Sequence, residues 1–190
     1  MASPFRLETE RLILRPPMKK DIPAIFRHLN HPAISQTTLH IPYPYTRKDA
    51  MTWVTKNKQE IVRGLSYSFV ITSKKTNQMI GAIGLHINSE HNRAEAGYWI
   101  AVPHWNKGVA TEALIRIMEF GFTIIGLNKI YATHLIHNPS SGRVMVKAGM
   151  KKEGKLMGHY RKGEEYIDII QYAMTASMYS KLKKKKNRTS

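Results

Sequence analysis

The chain has 190 residues, of which 42% are hydrophobic, and it contains no cysteine. These values predict one domain with a sizeable core, and they exclude disulfides, thiolate metal sites and a cysteine nucleophile. The formal net charge of +17 favours acidic partners, and polyphosphorylated cofactors, RNA and the ribosome qualify equally on charge alone. Because no apolar run approaches the length of a signal-peptide core or a membrane span, we expect a cytoplasmic protein without a membrane partner.

In the first half of the chain, apolar periodicity and turn residues predict short strands and amphipathic helices. Residues 7–15 alternate in part and stop at two prolines, so this segment is predicted to form one strand. The prolines and aromatic residues of 33–45 indicate a structured loop. The predicted elements are a strand at 7–15, a helix opening at 21, the loop at 33–45, a helix at 46–63, and a hairpin of strands at 66–72 and 79–87.

The most informative stretch is 95–112, where an apolar strand runs through a short loop into an amphipathic helix. A helix start leaves about four backbone N–H groups without partners and carries roughly half a positive charge, so it can bind a phosphate by main chain alone. Gly108 lets the backbone approach such an anion closely, Ala110 keeps the next contact small, and Thr111 can add a hydroxyl. The stretch matches neither the nucleoside-triphosphate loop nor the three-glycine dinucleotide fingerprint.

The second half of the chain adds a strand, a helix and a hairpin. The strand follows a strand and a helix, so a right-handed crossover is expected to place it parallel to the strand of 95–102. Asn138 is a good helix cap, Pro139 suits the first helical position and Gly149 suits the C-terminal stop. The predicted elements are a strand at 129–136, a helix at 138–149, and a hairpin of strands at 151–161 and 164–175.

These motifs resemble those of the GNAT superfamily of acyl-CoA-dependent N-acetyltransferases. The family's phosphate-loop signature, Q/R-x-x-G-x-G/A, reads W-N-K-G-V-A at residues 105–110. Trp105 departs from the general pattern, but Trp followed by x-K-G-x-A-T-E-A is similar to the RimJ/RimL branch, named for enzymes that acetylate the N-termini of ribosomal proteins. The opening L-x-T-E-R-L-x-L-R and the segment 138–150 resemble the same branch, so the resemblance covers about residues 5–176.

The resemblance implies an α/β GNAT fold with a mixed, mostly antiparallel twisted sheet of about seven strands, helices on both faces and a splayed central parallel strand pair. It implies one N-acetyltransferase domain at 1–176 and a basic, flexible tail at 177–190. Acetyl-CoA is expected as a co-substrate in the cleft at the splayed strands, without a metal ion. The expected cofactor-binding residues are Ile100, Ala101, Val102, Asn106, Lys107, Gly108, Val109, Ala110, Thr111, Asn138, Ser141 and Arg143.

Acetyl transfer to an amine needs a base. An α-amine has a pKa of about 8 and a lysine about 10.4, so most acceptor amine is protonated near neutral pH. The resemblance implies Glu95 as the catalytic carboxylate, because family bases lie on this strand about ten residues before the phosphate loop. A structural salt bridge is the alternative role for Glu95, and Asp168 and Glu165 are weaker candidates for the base.

Two further groups follow from the resemblance. The developing oxyanion is expected to meet a backbone N–H near Ile100 or Ala101. Ser141 is the candidate catalytic donor to the departing thiolate, with a second helix cap as its alternative role. No metal site is predicted, because the histidines lack the spacing of metal ligands with an acidic partner.

The sequence leaves the acceptor amine open. The first hypothesis is a protein N-terminal α-amine, attacked directly in a ternary complex because no cysteine can form an acyl-enzyme. A polyamine or aminoglycoside is the alternative amine, and a basic rim would disfavour such polycations. An RNA- or ribosome-binding protein without turnover is the alternative from another class, with the tail at 177–190 as a nucleic-acid arm rather than a solvated end. Ribosome association and a homodimer paired through the C-terminal hairpin also stay open.

Overall fold

The apolar runs of the chain pair into one eight-stranded sheet in the computed structural model, which describes residues 5–187. The strands are β1 (Leu7–Glu8), β2 (Leu12–Arg15), β3 (Ser66–Ser73), β4 (Met79–Asn88), β5 (Arg93–Ile100), β6 (Lys129–Leu135), β7 (Lys151–Lys162) and β8 (Glu165–Thr175). Their order across the sheet is β1-β2-β3-β4-β5-β6-β8-β7. Within the described residues, β5 and β6 are the one parallel pair, and all other neighbours are antiparallel.

Six α-helices of residues 5–187 lie on the two faces of this sheet. They are α1 (Ile22–Leu29), α2 (Pro32–Thr37), α3 (Arg47–Val62), α4 (Val109–Phe120), α5 (Pro139–Lys147) and α6 (Ala176–Asn187). Two clusters of buried side chains form the core, and the side chains of β3 alternate between them. Phe69 and Ile71 pack with α4 in one cluster, whereas Val70 packs with α1 and α3 in the other. Among the described helices, none combines the length and the apolar composition that crossing a bilayer requires.

The sheet has one strand more than the number expected, because residues 7–15 form two strands. The chain turns at Thr9, whose amide donates to the Leu12 carbonyl at 3.0 Å and whose hydroxyl accepts from the Leu12 amide at 2.9 Å. Glu112 of α4 accepts hydrogen bonds from Thr9 and Arg11 in this turn. The turn is therefore held by a residue far along the chain, which alternation within 7–15 does not reveal.

The segment 33–45, expected as a loop, begins inside a short helix. Pro32 occupies the first turn of α2, where its missing N–H is harmless, and the His31 ring accepts a hydrogen bond from the Ala33 amide at 3.2 Å. This cap and the proline together start the helix. The prolines farther along the segment keep the remainder irregular.

The tail, expected to be flexible from residue 177, is helical through Asn187. Its first turn docks against the π-helical turn that follows α4 (Gly121–Ile125), where the Tyr179 and Phe122 rings stack with centroids 5.0 Å apart. An aromatic contact of this kind offsets the entropy cost of ordering the helix start. Lys181, Lys183, Lys184 and Lys185 are exposed, so these basic side chains of the tail are presented on a helix. Residues 188–190 lie outside the described part.

The parallel pair β5–β6 separates after three residue pairs, which run from Arg93 opposite Lys129 to Glu95 opposite Tyr131. Beyond these pairs, β5 continues to pair with β4, and β6 continues to pair with β8. The splayed central parallel pair predicted from the sequence is therefore confirmed. The gap between the two strands is the feature that positions the candidate site.

Candidate active site

A cleft of about 920 Å³ runs through the gap between β5 and β6 and reaches the start of α4. Its walls come from the strands at the gap, the first turns of α4 and α5, and the segment between α2 and α3. Most of the predicted cofactor-binding residues line it. These are Ile100, Asn106, Gly108, Val109, Ala110, Thr111, Asn138, Ser141 and Arg143. Ala101, Val102 and Lys107 are not among the lining residues.

The loop before α4, which we call the anion loop (residues 106–108), is shaped to bind an anion. Asn106 and Gly108 have φ of 59° and 76°, so both adopt the left-handed conformation. Left-handed residues next to right-handed ones turn backbone N–H groups toward one concave side, beside the unpaired N–H groups at the start of α4. The Lys107 ammonium donates to the Pro103 carbonyl at 2.8 Å, which directs this side chain onto the loop rather than into the cleft.

Two of the predicted residues have other structural roles. The Ala101 amide donates to the Ile80 carbonyl at 2.9 Å, so it is engaged with β4 and cannot meet an oxyanion in the gap. Val102 packs against the core formed by α1 and α3, and its carbonyl accepts from the Trp105 amide at 3.1 Å. Ala101 and Val102 therefore support the loop, and neither is among the residues that line the cleft.

Backbone alternation points other amides into the gap. Because the amide of Ala101 faces β4, the N–H groups of Tyr98 and Ile100 face the opposite edge, toward β6. Pairing with β6 has ended by this point, so these two donors lie on the open edge. The Ile100 carbonyl accepts from the Trp105 indole at 2.6 Å, which gives the unusual tryptophan of the motif a structural role.

The hydroxyl of Ser141 faces a tyrosine rather than capping its own helix. Asn138 caps α5 by accepting the Ser141 amide at 3.4 Å, whereas the Ser141 Oγ lies 2.8 Å from the Tyr98 hydroxyl. Burial raises the pKa of Tyr98 to about 12, against the opposing effect of the Ser141 hydrogen bond, so Tyr98 is protonated at neutral pH. Tyr98 can therefore donate to Ser141 and leave the serine proton for a third group.

Glu95 lies in the last residue pair before the gap and lines the cleft. Its Oε1 accepts a hydrogen bond from the Thr133 hydroxyl at 3.2 Å. Burial, and then the negative charge of Glu95, raise the pKa of the nearby Tyr131 and Tyr160 hydroxyls. No ion pair joins Glu95 to a basic side chain in the described residues, so the salt-bridge alternative is not what the structure shows.

The other carboxylates proposed from the sequence lie elsewhere. Asp168 pairs with Lys155 at 2.7 Å and accepts the Gly158 amide at 2.8 Å, and the Lys155 hydrogen bond is the main cause of its lowered pKa. Glu165 is exposed at the end of the last hairpin. Among the described residues that line the cleft, Glu95 is the only carboxylate. In the same part of the chain, no group of three His, Cys, Asp or Glu is arranged to hold a metal ion.

The end of α2 is held by hydrogen bonds from His137, Asn138 and Lys162, and we call these three side chains the α2 roof. Three side chains from the second half of the chain contact backbone carbonyls of residues 36–38. The contacts join His137 Nε2 to Gln36 O at 3.0 Å, Asn138 Nδ2 to Thr37 O at 3.1 Å, and Lys162 Nζ to Thr38 O at 2.8 Å. Burial lowers the pKa of Lys162. The roof links the end of α2 to the start of α5 and to the last hairpin.

Sequence reasoning missed three polar residues of this site. The sequence pattern gave Tyr98 no catalytic or binding role, although strand alternation puts Tyr98 on the face opposite Glu95, where α5 packs. Thr133 carries no signal beyond lying on the partner strand. Lys162 belongs to a predicted turn, and nothing local indicates its contact with α2.

Comparisons with known proteins agree with this geometry. Residues 11–151 match the family model described as an acetyltransferase (GNAT) domain. The uncharacterized N-acetyltransferase YoaA of Bacillus subtilis is 32% identical over 163 residues, or 84% of this chain and 91% of that relative. Spermidine N(1)-acetyltransferase of Vibrio cholerae is 31% identical over 112 residues, or 58% and 64%. Among solved structures, RimL, a ribosomal L7/L12 α-N-protein acetyltransferase in complex with coenzyme A, has a TM-score of 0.82 at 19% identity, covering 90% of this chain and 98% of that chain.

An amine acyltransferase is the class of protein that the fold and the cleft define. The chain belongs to the GNAT family of acetyltransferases, because the family model covers residues 11–151 and YoaA is similar along most of its length. It is therefore an N-acetyltransferase enzyme, and acetyl-CoA is the acetyl donor of this family. The resemblance deduced from the sequence is confirmed, and RimL and RimJ are among the structural neighbours.

Proposed function

We propose that the enzyme transfers an acetyl group from acetyl-CoA to the N-terminal α-amine of a protein chain. The observation that carries the proposal is the charge of the cleft, where Glu95 is the only carboxylate among the described lining residues. A single carboxylate can compensate the charge of one ammonium group, so it suits an acceptor that brings only one amine into the cleft. The likeness of the motifs to the RimJ/RimL branch and the basic surface of the chain support a ribosomal protein as the acceptor.

Each chemical step can be assigned to a group in the gap. Bound acetyl-CoA supplies the thioester carbon that the amine attacks, so that a C–N bond forms and a C–S bond breaks. Glu95 receives the amine proton, directly or through a water molecule. The N–H groups of Tyr98 and Ile100 donate to the oxygen that becomes negative during attack. The Ser141 hydroxyl donates a hydrogen bond to the departing sulfur, and Tyr98 holds that hydroxyl in place. The thiolate takes its proton from solvent, to which Glu95 releases the proton of the amine. Transfer is direct, because the chain has no cysteine for an acyl-enzyme.

Acetylation of a polyamine is the second candidate, because spermidine N(1)-acetyltransferase of Vibrio cholerae is a partial relative. A polyamine brings at least two ammonium groups into the cleft, and a buried cation without a counter-charge is costly. Among the described lining residues, no carboxylate besides Glu95 can pair with the second ammonium group. Lys56 and several histidines line the same cleft. The charge of the cleft therefore favours the protein N-terminus over the polyamine.

A comparison of acceptors tests the proposed function. Peptides with a free N-terminus, the same peptides with a blocked N-terminus, and spermidine are compared by release of coenzyme A thiol. The readout is free of background from the enzyme, because the chain has no cysteine. We expect kcat/KM for the best free peptide to exceed that for spermidine by at least about tenfold, the cost of one poorly compensated charge. Equal turnover of blocked peptides, or a preference for spermidine, would contradict the α-amine proposal.

Removing the Ser141 hydroxyl is expected to have a moderate effect on catalysis. Thiols have pKa values of about 8.5, so a thiolate leaves without full protonation and needs only limited help. We expect Ser141→Ala to lower kcat about tenfold with little change in the KM for acetyl-CoA, and Tyr98→Phe to lower it by a smaller factor. Steady-state kinetics by thiol release measures both.

Ser89→Ala is the matched control, since Ser89 lies in the exposed turn after β4. A Ser141→Ala variant with the kcat of this control would remove Ser141 from the mechanism. A double variant whose loss equals the product of the two single losses would show that Tyr98 and Ser141 act independently, contrary to the proposed roles.

A further inference from the structure

The turn between β1 and β2 holds the anion loop through one carboxylate. Glu112, in the first turns of α4, accepts hydrogen bonds on one oxygen from the Thr9 hydroxyl at 2.5 Å and the Arg11 amide at 3.0 Å. Its other oxygen accepts from Arg11 Nε at 2.7 Å and lies 2.6 Å from Arg11 Nη2. Arg11 Nη1 donates to the Lys107 carbonyl at 3.1 Å. We call Thr9, Arg11, Glu112 and the Lys107 carbonyl the N-terminal clasp.

Glu112 is ionised in the N-terminal clasp. Partial burial favours its neutral form, but the hydrogen bonds from Thr9 and from the amide and side chain of Arg11 outweigh burial and hold the pKa of Glu112 below its usual range. The Glu112 side chain is 18% exposed and the Arg11 side chain is 52% exposed, so water reaches the pair mainly from the guanidinium side. The clasp differs from an ordinary surface ion pair in the number of hydrogen bonds that Glu112 accepts.

The N-terminal clasp fixes the direction of one peptide group in the anion loop. In a trans peptide, the carbonyl and the following N–H point in opposite directions. A Lys107 carbonyl held toward Arg11 therefore directs the Gly108 N–H away from Arg11, toward the cleft that Gly108 lines. This peptide joins Lys107 to Gly108, and the residues on either side of Lys107, Asn106 and Gly108, both have left-handed φ, a conformation that glycine and asparagine adopt more readily than other residues.

Each of the three guanidinium nitrogens of Arg11 faces an acceptor within the clasp, which uses three of its five N–H groups. Its Nε and Nη2 face Glu112, its Nη1 faces the Lys107 carbonyl, and Glu112 balances its charge. Arg11 is also not among the residues that line the cleft. Its effect on a bound anion must therefore pass through the loop backbone.

We propose that Arg11 is a positioning residue for the cofactor, and that the N-terminal clasp orients the Gly108 amide toward the diphosphate of coenzyme A. The proposal rests on the proposed use of acetyl-CoA, and it is independent of the acceptor. It gives a role to the T-E-R motif at residues 9–11, which no step of acetyl transfer requires.

The test compares two probes on the folded protein. Coenzyme A carries the diphosphate, whereas pantetheine shares the thiol arm and lacks both the diphosphate and the adenosine. We expect Arg11→Gln to weaken coenzyme A binding about tenfold by calorimetry, the effect of one misdirected hydrogen bond to a charged group, and to leave pantetheine binding unchanged by ligand-observed NMR. Arg11→Lys keeps the charge, but an ammonium group lacks the fork of N–H donors with which the guanidinium reaches both Glu112 and the Lys107 carbonyl. This variant is therefore expected to weaken coenzyme A binding to a similar extent.

Arg6→Gln is the control, because Arg6 forms an exposed ion pair with Glu8 in the same segment. Unchanged coenzyme A affinity in a folded Arg11→Gln protein would overturn the proposal. Equal weakening of coenzyme A and pantetheine would also overturn it, because that result indicates a general loosening of the cleft. If Arg11→Gln does not fold, Thr9→Val removes another hydrogen bond of the clasp and is tested in the same way. A wild-type protein that binds no coenzyme A would instead remove the proposed function itself.

Discussion

Substitution of Glu95 by glutamine is expected to lower kcat about a thousandfold at neutral pH, within the range that a general base contributes. Glutamine retains an oxygen that can accept the Thr133 hydrogen bond, so the change removes basicity while keeping the shape of the site. The KM for acetyl-CoA should stay within about twofold, because the anion loop lies at the other end of the cleft. Single-turnover measurement of thiol release, with saturating acceptor, separates this chemical step from binding.

The pH dependence of the same variant gives a second readout. Without a base, only acceptor amine that is already neutral reacts, so activity of Glu95→Gln should rise with pH toward the amine pKa of about 8 and level off above it. Glu90→Gln, in the exposed turn before β5, is the matched control. A Glu95→Gln enzyme with the activity of the Glu90 control would exclude Glu95 as the base and leave direct attack by the neutral amine.

Substitution of Gly108 by tryptophan is expected to abolish binding of acetyl-CoA, with a loss of at least about a hundredfold in affinity. The backbone φ of 76° disfavours any L side chain, and a Cβ at this position would lie 3.3 Å from Arg11 Nη2. A large side chain would therefore disturb the N-terminal clasp and occupy the space at the anion loop. Calorimetric titration with acetyl-CoA measures the effect, and ATP serves as a competing polyphosphate.

Gly126→Trp provides the control for backbone strain. Gly126 has a φ of 78°, and a Cβ there meets no atom within 4 Å, so the two substitutions carry similar strain at different places. Both variants should lose thermal stability, whereas only Gly108→Trp should lose the cofactor. Selective acetyl-CoA binding by Gly108→Trp would mean that the start of α4 is a strand-to-helix connection rather than a phosphate site.

Features set by nearby residues could be predicted from the sequence. The strand-loop-helix at 95–112 follows from apolar periodicity and one glycine, and the crossover rule then places β6 parallel to β5. The cap of α5 follows in the same way from Asn138 and Pro139. The carboxylate and the hydroxyl chosen from the family resemblance, Glu95 and Ser141, both line the cleft.

Features that depend on distant partners could not be predicted. The turn between β1 and β2 combines local hydrogen bonds between Thr9 and Leu12 with bonds to Glu112, about a hundred positions later. The α2 roof depends on Lys162, which the sequence places in an ordinary hairpin turn. Whether the Ala101 amide can meet the oxyanion depends on which amides of β5 face β4 and which face the gap. A shift of one residue exchanges the two sets, so only the observed hydrogen bond from Ala101 to Ile80 decides the question.

The separation of β5 from β6 gives the protein a pair of unpaired strand edges in the middle of its sheet. On the outside of a molecule, such edges recruit other chains and lead to aggregation. Here they face the cleft, whose walls include the first turns of α4 and α5, rather than the outer rim of the sheet. A ligand with amide groups along its length can pair with these edges as an added strand does. Ligand binding would then complete the sheet, and the same hydrogen bonds would contribute to both affinity and folding stability.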